Sequence, residues 1–219
     1  MTVGGTTTET VEGVGHRLLK SVEVEIGGQR IDKHYADWLQ VWYELTIPAE
    51  KKDAYDDLVG VESTGTAATA SLYVPLQFWF CRNVGLALPL IALQYHEVKI
   101  NIEWGTEADL GLTDAVSNFA AELWADYIYL DVEERKRFAQ VSHEYLIDQL
   151  QFVGADAVSG TTVNSKLNFN HPVKELVWIT KDTNGVLLDQ TVSMVQLKLN
   201  GHDRFNTRPG KYFSMVQPF

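Results

Sequence analysis

The segment LQFWFCRNVGLALPLIALQYHEVKINIEW, residues 76–104, decides the fold more than any other part of the sequence. In its second half apolar and polar residues alternate, with Val98, Ile100, Ile102 and Trp104 on one side and Glu97, Lys99, Asn101 and Glu103 on the other. This alternation predicts a strand with one buried face and one solvated face. The first half is nearly all apolar and contains Pro89, so it is neither a regular helix nor a membrane span. It also contains no recognisable catalytic pattern, which favours a structural protein over an enzyme.

Short strands and turns dominate the rest of the chain, and long helices are absent. Alternation at 22–26 ahead of Gly27-Gly28 predicts a strand and a turn, and helical spacing predicts a helix at 36–45, a helical turn at 55–59 and a linker helix at 131–139. Asp131 and Glu134 fit a capping box, and Glu133 and Arg137 fit a pair one helical turn apart. Further strands are predicted at 71–80, 91–104, 123–130, 144–153, 162–169, 173–180 and 186–199. Residues 1–10 are predicted to be disordered, and 60–70 and 105–118 to form loops. This organisation is typical of a sandwich, barrel or jelly roll.

One pattern occurs twice. Val22, Val24 and Ile26 alternate ahead of Gly28, and Val195, Leu197 and Leu199 alternate ahead of Gly201, which lies 173 residues further on. Residues 21–26 and 194–199 are therefore predicted to be equivalent strands of two related halves.

Composition excludes several classes of function. The net charge of −11 argues against direct contact with nucleic acid, because such contact needs clusters of Lys and Arg. Cys81 is the single cysteine, so no intrachain disulfide forms, and we expect it to be a small buried apolar residue. No signal peptide, membrane span or Asn-x-Ser/Thr site is visible.

No catalytic, cofactor-binding or metal-binding residue is predicted. The six histidines are His16, His34, His96, His143, His171 and His202, and no two lie two, three or four residues apart, as zincin and cupin metal sites require. We expect them to be solvated or hydrogen-bonded structural residues. The nucleophile elbow and the phosphate-binding glycine loops are also missing. We expect Phe78-Trp79-Phe80 and the pair Trp38 and Trp42 to pack in the core.

Four long stretches resemble one family in the same order along the chain. They are SVEVEIGGQRIDKHYADWL at 21–39, PLQFWFCRNVGLALPLIALQYHEVKI at 75–100, WADYIYLDVEERKRFAQVSHEYLIDQLQ at 124–151 and LNGHDRFNTRPGKYFSMVQPF at 199–219. They are similar to the major capsid proteins of large nucleocytoplasmic DNA viruses, with Val84 where that family usually has proline.

The resemblance implies an all-β fold, a tandem double jelly roll made of antiparallel β-sandwiches with a few short helices. It implies a first jelly roll at 1–133 that lacks its opening strands and the N-terminal part of a second, truncated roll at 134–219. With the 173-residue offset, the sequence is expected to be incomplete at both ends. Sheets without their partner strands expose unpaired edges, so the 219-residue chain alone is expected to aggregate rather than to form a stable trimer.

The function that the resemblance implies is structural. Three copies would form a pseudo-hexagonal capsomer, and capsomers would tile an icosahedral viral shell. The implied partners are neighbouring capsomers, minor capsid proteins and an underlying internal membrane, with no enzymatic activity and no cofactor. The implied location is the virion, after assembly in the cytoplasm of the infected cell. The alternative is a jelly-roll domain that binds carbohydrate or cleaves glycosides, which would need exposed aromatic residues and two converging carboxylates.

Overall fold

A computed structural model describes residues 2–3, 13–60, 70–106, 109–110, 119–181, 188 and 192–217 of the chain. The chain divides into two compact units, Met1–Gly154 and Ala155–Phe219. The predicted loops at 60–70 and 105–118, and the predicted disorder at 1–10, fall largely outside the described residues.

The elements of the described residues are short. The helices are α1 (Val14–Leu18), α2 (Ala36–Thr46), α3 (Lys52–Val59), α4 (Trp79–Arg82) and α5 (Val132–Gln140), with 3-10 turns at Ala49–Lys51 and Val84–Leu86 and a π-helical turn at Tyr212–Val216. The strands are β1 (Thr2–Val3), β2 (Leu19–Ile26), β3 (Gln29–Tyr35), β4 (Ala70–Ser71), β5 (Val98–Trp104), β6 (Met194–Val195), β7 (Lys198–Leu199), β8 (His202–Asp203) and β9 (Arg208–Pro209).

A three-stranded antiparallel sheet forms the centre of the first unit. Strand β2 lies in the middle, with β3 on one side and β5 on the other. The predicted alternation of β5 is confirmed, because its residues alternate between half-buried and exposed along the whole strand. The apolar members of β5 are less deeply buried than those of the central strand, where Val22 and Val24 are almost inaccessible.

The core lies between the apolar face of this sheet and the segments that cover it. Val22 and Val24 pack with Leu39 of α2 and with Phe78 and Trp79. Phe78 and Trp79 are therefore core residues, as the sequence predicts. Burying an apolar side chain of this size contributes about 1.5–3 kcal/mol, so this cluster is the main source of stability in the unit.

Several predicted helices are confirmed. The predicted helix at 36–45 is α2, which ends at Thr46, two residues before Pro48. The helical turn before Gly60 is α3, and Gly60 ends it with a positive φ of 74°. The predicted linker helix is α5, and the reciprocal hydrogen bonds of Asp131 and Glu134 form the predicted capping box. The predicted pairing of Glu133 with Arg137 is wrong, since Glu133 pairs with Lys136 at 2.9 Å.

The capping box gives a first prediction. Asp131→Ala removes the acceptor of the Glu134 backbone N–H, and loss of such a cap costs about 1 kcal/mol. We expect amide hydrogens in the first turn of α5 to exchange about fivefold faster. The matched control is Glu133→Ala, which removes only an exposed ion pair and should leave the exchange of the Glu134 amide unchanged. Equal exchange in wild type and Asp131→Ala would contradict the capping assignment.

The predicted strand positions are wrong in several places. Beyond Ser71 the predicted strand at 71–80 is irregular and turns into α4, and the strand predicted from residue 91 begins only at Val98. Residues 123–130, 144–153, 162–169 and 173–180 are not assigned to any strand. Residue alternation reports which side chains share a face, but a strand also needs a hydrogen-bonded partner at the correct distance. The pattern alone therefore cannot decide whether such a segment joins a ladder.

The internal repeat is visible as two matching hairpins, one in each unit. Ile26 pairs with Gln29 across Gly27-Gly28, and Leu199 pairs with His202 across Asn200-Gly201. The turn residues have φ values of 60° and 81° in the first hairpin and 52° and 82° in the second. Positive φ at both central positions is the signature of the type I′ turn, which favours Gly and Asn. The predicted strand at 194–199 forms as two pieces, β6 and β7, and each hairpin leads into a helical segment.

Candidate assembly surface

The segment at 121–130 carries several large exposed apolar side chains of the first unit. Trp124 is 83% exposed and Tyr129 is 90% exposed, and Leu123, Tyr127 and Ile128 are also exposed. The segment is tied to the sheet at its start, where the ring of Phe119 packs edge-on against Trp104 with centroids 4.8 Å apart. We call residues 123–129 the apolar band.

The band is apolar except for Asp126 at its centre. Neighbours in the band such as Ile128 and Tyr129 are both apolar and both exposed. A strand with one solvated face would alternate with polar residues, whereas a strand covered on both faces is a near-continuous apolar run. Exposed apolar patches of this kind mark surfaces that contact another element or another protein. The band is therefore a candidate assembly surface.

The face of the central sheet that points away from the core is polar and solvated. Glu103 accepts hydrogen bonds from Lys20 Nζ at 2.8 Å and from Ser21 Oγ at 3.0 Å, and these two bonds hold the pKa of Glu103 below its ordinary value. Asn101 Nδ2 donates to the carboxylate of Glu23 at 3.1 Å across the strands. Charges on this face are matched by neighbours of opposite charge, which is the pattern of an ordinary water-facing surface.

An apolar groove of about 620 Å³ lies beside the core of the first unit. It runs between the loop at 86–96 and the chain around α5, with walls that include Leu88, Leu93 and Phe138. His96 and His143 lie at its lining. His143 Nε2 is bonded to the backbone carbonyl of Phe138 at 2.8 Å, and its ring stacks on that residue. His143 is therefore a structural histidine, as the sequence predicts.

The buried His16 joins three helices. His16 Nδ1 lies 2.8 Å from Gln40 Oε1, and its Nε2 lies 3.0 Å from the hydroxyl of Tyr55. Because an amide oxygen only accepts, Nδ1 carries a hydrogen, and since burial favours the neutral ring, Nε2 then accepts from Tyr55. Burial lowers the pKa of His16, since the cation would lose its hydration, and burial also raises the pKa of Tyr55 to about 12. The ring of Tyr43 stacks on the ring of Tyr55 with centroids 4.7 Å apart, and the Tyr43 hydroxyl donates a hydrogen bond to Asp56.

This environment predicts how stability changes with acid. The unfolded chain protonates His16 near pH 6.5, while the folded chain resists protonation to a lower pH. The stabilising contribution is therefore complete above about pH 6.5 and is lost as the pH falls below it, at up to about 1.4 kcal/mol per pH unit. Thermal unfolding from pH 7.5 to pH 5 should show a falling midpoint, and His16→Gln should flatten that dependence. The exposed His96→Gln should leave the wild-type dependence intact, and an unchanged slope in His16→Gln would contradict the account.

Other side chains with possible chemistry are placed apart. Cys81 is exposed, so the prediction of a buried residue is wrong, because the helical turn α4 directs it outward while Phe78 and Trp79 fill the core. Burial by neighbouring atoms nevertheless raises the pKa of its thiol, which disfavours a reactive thiolate. Trp38 and Trp42 are half-buried, and the guanidinium of Arg82 lies 4.5 Å from the ring of Trp42.

The described residues contain no group of three His, Cys, Asp or Glu side chains that is placed to hold a metal ion. Within the same part of the chain, no helix is long and apolar enough to cross a membrane. Phe78 and Trp79 are buried, which removes the platform that a sugar would stack on there.

Sequence reasoning missed one polar cluster of the first unit. Asp32 and His34 are buried on β3, with their side chains 0% and 4% exposed and with His34 Nε2 3.0 Å from Asp32 Oδ2. Two polar residues two positions apart on a strand share one face, so the spacing itself was the available signal. Asp32 also accepts a hydrogen bond from the backbone of Leu150, which belongs to the chain after α5.

Comparison with known proteins agrees with a structural role. The family model described as "Major capsid protein N-terminus" matches residues 1–131, and the model described as "Large eukaryotic DNA virus major capsid protein" matches residues 134–219. The chain belongs to the major capsid protein family of large eukaryotic DNA viruses.

Particular relatives share most of the chain. The major capsid protein of Pyramimonas orientalis virus is 56% identical over 94% of this chain and 53% of its own length. The major capsid protein of Paramecium bursaria Chlorella virus 1 is 39% identical over 99% of this chain and 59% of its own length. A chain in a quasi-atomic model of the PBCV-1 virus capsid superposes with a TM-score of 0.83 at 34% identity, covering 100% of this chain and 64% of that chain. The chain thus spans a little over half the length of these two curated relatives.

Proposed function

We propose that this chain is a structural subunit of a viral capsid, that three copies form a pseudo-hexagonal capsomer, and that capsomers tile an icosahedral shell. The observation that carries the proposal is the superposition of the whole chain on a protein of the PBCV-1 virus capsid. The exposed apolar band supports it independently, because a subunit that works by association needs surfaces that are covered only after assembly.

The proposed architecture is a tandem double jelly roll, with residues 1–133 in the first roll and residues 134–219 in the second. The repeated hairpin supports two homologous rolls, because both copies have the same pairing across the turn and nearly the same turn geometry. The two family models meet at the same place in the sequence. The compact units divide later, at Gly154, so the first 20 residues or so of the second roll would pack on the first.

The proposed mechanism is burial and shape complementarity without covalent chemistry. Closed symmetric association lets the same patch of each subunit be covered by its neighbour, and stable interfaces bury about 1,200–2,000 Å² in total. No residue is assigned a catalytic or cofactor-binding role. Among the described ionisable residues, the ion pairs on the solvated face, the helix cluster around His16 and the Asp32–His34 pair hold the fold together.

The proposed partners are other capsomers, minor capsid proteins and a membrane beneath the shell. The net charge of −11 favours a shell that leaves the genome to other proteins. The proposed place of action is the virion, with assembly in the cytoplasm of the infected cell.

Negative-stain electron microscopy of the protein expressed from its natural reading frame tests this proposal. We expect uniform particles with a hexagonal outline and a threefold axis. A glycan array on the same preparation tests the carbohydrate-binding alternative. Monomeric particles that bind defined glycans would refute the capsid role and support a lectin.

A further inference from the structure

Strand β3 is an outer strand of the central sheet, and a distant part of the chain lies against it. Asp32 Oδ1 accepts hydrogen bonds from the backbone N–H of Lys33 at 2.9 Å and of Leu150 at 3.0 Å. The side chain of Gln149 donates to the backbone carbonyl of Ile31. The ring of Phe152 packs against Tyr35 with centroids 5.0 Å apart. Residues 147–152, which we call the strap, therefore contact β3 at three places. At two of these places the contacting residues are separated by 118 positions in the sequence.

The polar anchor of the strap is completely buried. The Asp32 side chain is inaccessible to solvent, and the His34 ring stacks on the ring of Phe78 with centroids 4.4 Å apart. His34 Nε2 lies at ion-pair distance from Asp32 Oδ2, but the contact lacks hydrogen-bond geometry, and among the described residues neither Oδ2 nor His34 Nδ1 has a hydrogen-bond partner. The two backbone N–H groups therefore supply the hydrogen bonds that the buried carboxylate has.

A buried carboxylate is costly unless hydrogen bonds and charge compensate it. One of the two compensating N–H groups belongs to the strap, so release of the strap would leave Asp32 with Lys33 N–H and the poorly aligned imidazole alone. Apolar packing also holds the strap in place, since the side chain of Ile147 packs against the core cluster. Covering β3 also removes an open strand edge, which is otherwise a template for unwanted pairing.

We propose that Asp32, buried beside His34, is a positioning residue that latches the strap onto the edge of β3 and so fixes the place where the chain leaves the first compact unit at Gly154. The latch is a property of the first unit and holds whether or not the protein forms capsomers. Failure of the latch and failure of the capsid proposal are thus distinguished by separate measurements.

Hydrogen exchange with mass spectrometry on peptides covering the strap and β2 tests the proposal. In the wild-type chain the Leu150 amide should exchange slowly, and Asp32→Ala should speed its exchange at least tenfold. Asp32→Asn keeps an oxygen acceptor in the same place, so it should restore most of the protection. Gln149→Ala removes only the side-chain bond to Ile31 and should have a smaller effect than Asp32→Ala.

A second variant covers the case in which Asp32→Ala fails to fold. Leu150→Pro removes the N–H that donates to Asp32 while leaving Asp32 itself in place. The remaining strap amides should lose protection in Leu150→Pro while the amides of β2 stay protected. Fast exchange of the Leu150 amide in the wild-type chain, or a strap that stays protected in Leu150→Pro, would overturn the latch.

Discussion

Val24→Asp is expected to prevent this protein from folding. Val24 is 0% exposed and lies in the central strand, between β3 and β5 and against the main core cluster. An unpaired charge in such a site costs about 3–5 kcal/mol, and a typical domain has only about 5–15 kcal/mol of stability. Expressed from the natural reading frame, the wild type should be soluble, whereas the variant should be recovered in inclusion bodies and any dispersed fraction should lack a cooperative thermal transition.

Two further aspartates make this experiment quantitative. Ile100→Asp places the charge on the neighbouring strand at a half-buried position, so it should also destabilise the protein strongly but less than Val24→Asp. Val84→Asp makes the same kind of change at an exposed residue and should be recovered at the wild-type level. Equal yields and melting temperatures for all three variants would show that the sheet does not pack as described.

The second large effect is expected at the apolar band. Replacing Trp124 and Tyr129 together by serine removes its two most exposed aromatic rings. Truncating a single aromatic anchor of a protein contact typically costs at least about 2 kcal/mol, which corresponds to roughly a 30-fold weaker association. We expect the double variant of the 219-residue chain to need at least about 30-fold more protein to self-associate, as measured by light scattering over a concentration series.

The band is also expected to be covered in the assembled state. Hydroxyl-radical labelling should modify Trp124 and Tyr129 readily in the isolated chain and at least tenfold less in capsomers. Glu122→Gln changes a neighbouring exposed polar residue and serves as the control for self-association. Self-association that responds equally to Glu122→Gln and to the double variant would show that the band is an ordinary surface.

The elements that were predictable from sequence are those determined by neighbours in the chain. The capping box of α5 needs only Asp131 and Glu134, and the turns at Gly27-Gly28 and Asn200-Gly201 need only residues that tolerate positive φ. The strand β5 was predictable because its two faces differ along its whole length.

The elements that were not predictable depend on distant contacts. Residues 147–152 have a strand-like pattern, but they lie on β3 through side-chain and backbone bonds to Asp32 and Ile31 rather than in a ladder. The segment at 72–80 contributes Phe78 and Trp79 to the core and exposes Tyr73, and its residue pattern could not separate a strand from irregular chain. Residue order alone likewise gave no sign that α4 would expose Cys81.

The most direct test of the central claim is the mass of the protein in solution. Size-exclusion chromatography with light scattering on the protein expressed from its natural reading frame should give three times the mass that the same sample shows under denaturing conditions. That ratio should hold over at least a tenfold range of concentration, because the proposed capsomer of three copies is a closed assembly. A stable species with the mass of a single chain would contradict the proposal that this protein works by assembling into trimeric capsomers.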